Sequence, residues 1–192
     1  MTKIAIVVGH PAAGSYCEAL GDAYLRGAQA GGHDAQLFVL GRMQFDAVLR
    51  DGYRREQPLE PDLIDARAAI VGCDHLVLIF PLWCGDMPAI LKGFIERILQ
   101  PDLLRLHAAG GKGDRHVLRG KSARVIMTMG MPGWFYRWYF GAHALKLLKR
   151  NVLHFVGVKP VRTTIHGMIE TVGVDTRQEW LRETEALGHA AE

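Results

Sequence analysis

The chain has little of what marks a secreted, membrane-spanning, metal-binding or nucleic-acid-binding protein. Its 192 residues contain only 3 cysteines. Cys17, Cys73 and Cys84 are odd in number and widely spaced, which reads as free thiols in a reducing cytoplasm rather than a disulfide framework. There is no C-x-x-C or H-x-x-x-H pair, so no metal is expected. No apolar run reaches the roughly 18 residues that a transmembrane helix needs. Met1-Thr2-Lys3 leads directly into the β-like run Ile4-Ala5-Ile6-Val7-Val8, so no secretory signal is expected and the location implied is cytoplasmic. Net charge is +3, without a run of five basic residues, which is too mild for a nucleic-acid partner. Neither a G-x-G-x-x-G fingerprint nor a Walker loop is present. No internal repeat, linker or boundary appears, so residues 1–192 read as one domain.

What is there is an ordinary globular composition, 49% hydrophobic and 22% charged, long enough to bury a full core. Five short apolar runs, Ile4–Val8, Ala35–Leu40, Leu76–Phe80, Arg124–Met129 and Val161–Ile165, read as strands. Three of them are nearly continuous in Val, Ile, Leu and Phe, as in strands covered on both faces. Between and after them lie segments of helical spacing: Ser15–Ala30, Leu63–Val71, Pro88–Leu99, a longer stretch Trp134–Val156, and the polar Arg177–Leu187. This alternation predicts an α/β protein, a doubly wound parallel sheet with helices on both faces. In such a sheet, ligands bind outside the carboxyl ends of the strands. Two irregular segments, Gly41–Glu60 and Pro101–Gly120, are expected to flank that site or to carry dimer contacts.

Three loops therefore matter. After the first strand, Gly9-His10-Pro11-Ala12-Ala13-Gly14-Ser15-Tyr16-Cys17 leads into a helix for which Ser15 is a good N-cap, and free N–H groups there suit a phosphate. The same residues also fit an ordinary capped turn. After the third strand, Pro81-Leu82-Trp83-Cys84-Gly85-Asp86-Met87-Pro88 is stiffened by proline at both ends. It can present backbone amides and apolar atoms to a planar ring such as an isoalloxazine. Trp83 equally fits a core aromatic, and Cys84 a small inert hydrophobe. After the fourth strand, Thr128-Met129-Gly130-Met131-Pro132-Gly133 permits close backbone approach to a ligand. Trp134, Phe135, Trp138, Tyr139 and Phe140 follow, and they fit a homodimer interface.

The run Phe80-Pro81-Leu82 followed by Pro88-Ala89-Ile90-Leu91-Lys92-Gly93-Phe94-Ile95-Glu96-Arg97 resembles the NAD(P)H:quinone oxidoreductase family, the long-loop branch of flavodoxin-like proteins. His10-Pro11 with Ser15, and Val152-Leu153-His154-Phe155-Val156-Gly157, resemble two further stretches of that family. The resemblance runs from Lys3 to about Met168. It implies a flavodoxin-like sheet of order 2-1-3-4-5. It also implies a flavin, FMN or FAD. FMN is favoured because the first loop offers one clear phosphate site. His10, Ser15, Tyr16 and Cys17 match positions that hold the flavin phosphate. Pro81, Leu82, Trp83, Cys84 and Gly85 match those along the ring, and Thr128 and Gly130 those at its pyrimidine edge. Tyr136, and His143 at an offset of about one residue, match the pair that stabilises charge at N1 and O2 when N5 takes a hydride.

The activity implied is that of an NAD(P)H dehydrogenase (quinone), with a quinone-like small molecule as acceptor. A flavin-bearing ancillary protein of a potassium efflux system, and an azo or nitro reductase, share these motifs. The family often carries two bulky residues where this chain has Cys84 and Gly85, so either a more open flavin face or another aromatic filling in is expected here.

Overall fold

The computed structural model describes residues 1–100 and 116–192. Within them, five strands form one parallel sheet in the order β2-β1-β3-β4-β5. The strands are β1 (Lys3–Val8), β2 (Asp34–Val39), β3 (His75–Pro81), β4 (Ser122–Thr128) and β5 (Val161–His166). The helices are α1 (Tyr16–Ala30), α2 (Pro61–Gly72), α3 (Ala89–Ile98), α4 (Gly133–Trp138), α5 (His143–Leu147) and α6 (Val174–His189). Every expected strand forms, with boundaries displaced by one or two residues. Pro101 to Arg115, most of the second irregular segment, lie outside the described residues.

Side chains alternate across the strands and build two cores. Ala5, Val7, Leu76, Leu78, Phe80, Val125 and Met127 face Leu63, Ile70, Leu91, Phe94 and Leu148. Ile4, Ile6, Val8, Val77, Ile79 and Ile126 face Leu20, Tyr24 and Ala28 of α1. β3 is buried along its whole length, which is why it reads as an unbroken apolar run. On the second face, α1 and α6 meet backbone to backbone. A Cβ on Gly27 would stand 1.8 Å from the Glu185 carbonyl, and one on Gly188 would stand 2.1 Å from that of Tyr24. Only glycine permits that approach.

The structure departs from the sequence reading between Trp134 and Val156. That stretch is not one helix. Gly141 and Ala142 both have positive φ, 58° and 51°, which ends α4 and restarts the chain as α5. A wider turn, Leu148–Leu153, continues α5. Helical spacing persists across the break because Tyr136, Ala144, Leu145 and Leu148 are buried on both sides of it. Periodicity therefore reported the burial and missed the break. The irregular stretch 43–60 is pinned by Arg97 of α3, which is fully buried. Its guanidinium donates to the Asp46 carbonyl, to the Pro58 carbonyl at 2.7 Å and to Glu60 Oε2 at 2.7 Å.

Candidate functional site

The order of successive strands reverses between β1 and β3, β2 lying to one side and β4 to the other, so a crevice opens at their carboxyl ends. Each loop that borders it leaves the sheet from a fixed anchor. Gly9 N–H donates to the Ile79 carbonyl at 2.8 Å, Leu82 N–H to the Thr128 carbonyl at 2.8 Å, and Met129 N–H to the His166 carbonyl at 2.9 Å.

In the first loop, Ser15 is the N-cap of α1, and its Oγ accepts from Glu18 N–H at 3.2 Å. The N–H groups of Tyr16 and Cys17 have no acceptor among the described residues, as expected for a first helical turn aimed at an anion. Glu18 was not foreseen. Its carboxylate accepts from Gly14 N–H at 2.7 Å and from Arg42 Nε at 2.8 Å. The Gly14 hydrogen bond, with Arg42, holds its pKa below the usual carboxylate value. The spacing Ser15-x-x-Glu18 is that of a capping box and could have flagged it; Arg42 had no local signal. His10 Nδ1 lies 3.0 Å from Ala12 N, and its ring meets Trp83 edge-on, with centroids 5.2 Å apart. The first and third loops are thereby joined.

Two side chains of this loop turn away from the crevice. Tyr16 Oη donates to the Arg177 carbonyl of α6 at 2.7 Å, and burial pushes its phenol up to about 12. Cys17 Sγ sits 3.5 Å from Thr128 Oγ1, and burial pushes its thiol up to about 11, so it stays protonated and unreactive. Any contact of these two residues with a phosphate is therefore through the backbone. The Thr128 hydroxyl is likewise turned toward α1, which leaves its main chain for a ligand.

In the third loop, Trp83 and Asp86 exchange both hydrogen bonds, at 2.8 and 2.9 Å, around a two-residue turn. Cys84 and Gly85 occupy it with φ of 49° and 81°. Two successive positive φ angles define a turn of type I′, which favours glycine. A Cβ on Gly85 would meet nothing within 4 Å. Backbone conformation, not lack of room, accounts for the small residue.

The break at Gly141-Ala142 brings Tyr136 of α4 under the start of α5, where its Oη accepts from Leu145 N–H at 3.4 Å. Burial raises the Tyr136 phenol above its ordinary value, so it is a neutral O–H donor near pH 7. Leu82, Cys84, Gly85, Met131, Tyr136, Phe140 and His143 together line a cavity of about 430 Å³. That size suits a small-molecule ligand, and the lining is mostly apolar with few polar groups, as such sites are. The two residues expected to act in catalysis, Tyr136 and His143, thus share one wall. Cys84 and Gly85 form another part of it. Pro81 ends β3, buried, and Gly130 lies exposed in the fourth loop, outside the lining. A larger groove of about 520 Å³ runs along Lys3, Asp34, Gln36, Asp65 and Gly72, at the amino ends of β1 and β2, remote from all three loops. Among the described residues, no group of three His, Cys, Asp or Glu could hold a metal ion. None of the described helices is long and apolar enough to cross a membrane.

A doubly wound parallel sheet with a capped helix start and an apolar cleft at its switch point is the arrangement of the flavodoxin-like fold. The chain belongs to the Flavodoxin_2 family, of flavodoxin-like fold, whose model matches residues 2–187. It is 29% identical over 157 residues to the ribosyldihydronicotinamide dehydrogenase-like protein traD of Penicillium crustosum, a match covering 69% of this chain and 58% of that protein. It is 28% identical over 160 residues to the FMN-dependent NADH:quinone oxidoreductase of Ruegeria pomeroyi, covering 75% of each. Among solved structures, an NAD(P)H:quinone oxidoreductase from Methanothermobacter marburgensis superposes with a TM-score of 0.81 at 26% identity. That match covers 98% of this chain and 95% of the other.

Proposed function

We propose that this chain is a flavin-dependent oxidoreductase that takes a hydride from NAD(P)H and passes it to a quinone-type acceptor, with FMN as its flavin. One observation carries the reading. Among the described residues, Tyr136 and His143 are the polar hydrogen-bonding side chains that line the 430 Å³ cleft, together with the positive-φ turn Cys84-Gly85. The Ser15-capped start of α1 lies on the adjacent loop, joined to that turn through His10 and Trp83. The relatives named as quinone oxidoreductases support the same reaction class, and the name of the Ruegeria protein supports FMN.

The residues present fit such a group. The amides of Tyr16 and Cys17 would hold the phosphate at the positive end of α1. Leu82, Cys84 and Met131 would cover the ring, and main-chain groups at Trp83–Gly85 and Thr128–Gly130 would meet its polar edges. When bound, the flavin supplies hydride acceptance and donation at N5. The Tyr136 O–H, held protonated by burial, and the His143 imidazole would stand where negative charge develops and would stabilise it. The apolar lining limits water in the cleft.

Trp134, Trp138, Tyr139 and Phe140 are exposed, and we assign them to contact with a second copy of this chain. A fully active monomer in sedimentation refutes that assignment. The central reading is tested by the visible spectrum of the purified protein, identification of the released flavin, and an NAD(P)H–menadione assay. Absence of bound flavin after reconstitution with FMN or FAD overturns it.

A further inference from the structure

The charge of this chain is unevenly placed. No acidic residue occurs between Asp114 and Glu170. That acid-free stretch contains β4, α4, α5 and β5, and so the whole fourth-loop wall of the cleft. Two of its cations, Arg137 and Lys146, lie beside the opening. Gly141 turns there with φ of 58°, and a Cβ on it would lie 3.2 Å from His143 Nε2 and 3.7 Å from Lys146 Nζ. The ammonium of Lys146 is therefore held next to an imidazole that lines the cavity.

Lys146 and Arg150 follow His143 at three- and four-residue steps on the exposed stripe of this turn of chain. Burial, with Lys159, Lys149 and Arg150, lowers the pKa of His154, but Lys159 N–H donates to the Lys121 carbonyl at 2.9 Å at the amino ends of β4 and β5, so this second group of cations lies toward the end of the sheet opposite the cleft. Arg137, also exposed, acts on the Tyr136 phenol. Among the described residues none of Arg137, Lys146, Lys149, Arg150 or Lys159 has a carboxylate within ion-pair distance. Asp86, whose charge also reaches Tyr136, is the opposing group on the other wall. Elsewhere several exposed cations are paired: Arg26 with Glu185, Arg50 with Asp46, Lys92 with Glu96 and Arg182 with Glu179. Arg137 and Lys146 are the unpaired cations beside the cleft; among the described residues Lys3, at the amino end of β1, has no ion pair either.

We propose that Lys146, with Arg137, forms a cationic rim that selects co-substrates bearing negative charge. An apolar cleft with a one-signed rim focuses field lines and raises the local concentration of oppositely charged ligands by about 10-fold or more. The effect falls as salt screens exposed charges. Either co-substrate of the proposed reaction can carry that charge, an acceptor through a sulfonate or carboxylate, or a donor through its phosphates. The inference rests on the functional reading for the identity of those molecules. The charge preference of the cleft can be read without turnover.

The probes are anthraquinone-2-sulfonate and the neutral 2-(hydroxymethyl)anthraquinone, titrated against the full chain by quenching of tryptophan fluorescence. The sulfonate is expected to bind about tenfold more tightly at low salt, with the advantage lost at high salt. Lys146→Glu with Arg137→Glu is expected to abolish or invert it. In the FMN-loaded protein, kcat/KM is compared for the two quinones as acceptors. It is then compared for NADH, NADPH and N-ribosyl dihydronicotinamide, which carries no phosphate, as donors. A charge preference confined to the quinones assigns the rim to the acceptor, and one confined to the donors assigns it to the dinucleotide. Equal binding of both anthraquinones, together with donor ratios unchanged by the charge reversal, overturns the proposal. Salt-sensitive sulfonate binding in a chain that reduces nothing upholds the rim and overturns the oxidoreductase reading.

Discussion

Two buried histidines make the fold sensitive to mild acid. His75 and His166 are each 3% exposed, and among the described residues the Nε2 of both lacks a hydrogen-bond partner. Burial brings both down from 6.5 to about 4; for His75, Arg124 and Arg162 push the same way and Glu192 opposes them. The unfolded chain then binds a proton at each site below pH about 6.5, whereas the folded chain refuses it until about 4. Stability from neutral imidazole is complete above pH about 6.5 and is lost as pH falls toward 4. Each histidine costs about 1.4 kcal/mol per pH unit inside that window and about 3 kcal/mol across it. Against a typical total of about 5–15 kcal/mol, the pair is decisive. Urea unfolding at several pH values reads the slope, about 2.7 kcal/mol per unit for the wild type. His166→Phe keeps a ring over Trp180, whose centroid is 4.5 Å away, and removes the titration. The slope of that variant is expected to fall by half. An unchanged slope refutes the argument that burial of this ring governs acid stability.

Other outcomes follow from particular contacts. Gly27→Ala drives a Cβ to 1.8 Å from the Glu185 carbonyl, so α1 and α6 must part. A loss of about 1–3 kcal/mol is expected in chemical denaturation, and a change within about 0.5 kcal/mol contradicts the packing. Arg97→Met strands the carbonyls of Asp46 and Pro58 and the Glu60 carboxylate, and is expected to cost about 3–5 kcal/mol. Limited proteolysis should then cut first within residues 43–60. Gly85→Val places a β-branched residue at φ of 81°, which costs about 1–2 kcal/mol at that turn. It is expected to weaken FMN binding several-fold by flavin fluorescence, whereas Cys84→Gly should not. Tyr136→Phe is expected to lower kcat about 100-fold while FMN stays bound, as loss of a donor to developing charge does. A loss of FMN affinity without loss of kcat makes Tyr136 a binding residue instead.

Much of the fold was legible before any coordinate. β3 is buried throughout, so Leu76–Phe80 reads as an unbroken apolar run, and the alternation of such runs with helical spacing requires crossovers and a parallel sheet. Ser15 announced the start of α1 because an N-cap is a local device, read from one residue and its neighbours. The positive-φ demand at Gly85 is visible in the sequence only as a small residue; the backbone angle gives the conformational reason for glycine there.

The rest depended on residues far apart in the chain. Ala142 has no special look, yet it stands at φ of 51° beside Gly141, and that break places Tyr136 beneath α5. Arg42 reaches Glu18 from another element, and Arg97 gathers a loop that begins some fifty residues earlier. The sequence by itself determined the strands, the sheet class and the three loops that matter, because burial pattern and capping are local consequences of residue type. Only the tertiary structure decided which atoms of those loops meet. It turned the side chains of Tyr16, Cys17 and Thr128 away from the crevice, put Tyr136 and His143 on one wall, and gathered Lys146 and His143 over Gly141. Those placements come from packing between distant elements, which no single stretch of sequence encodes.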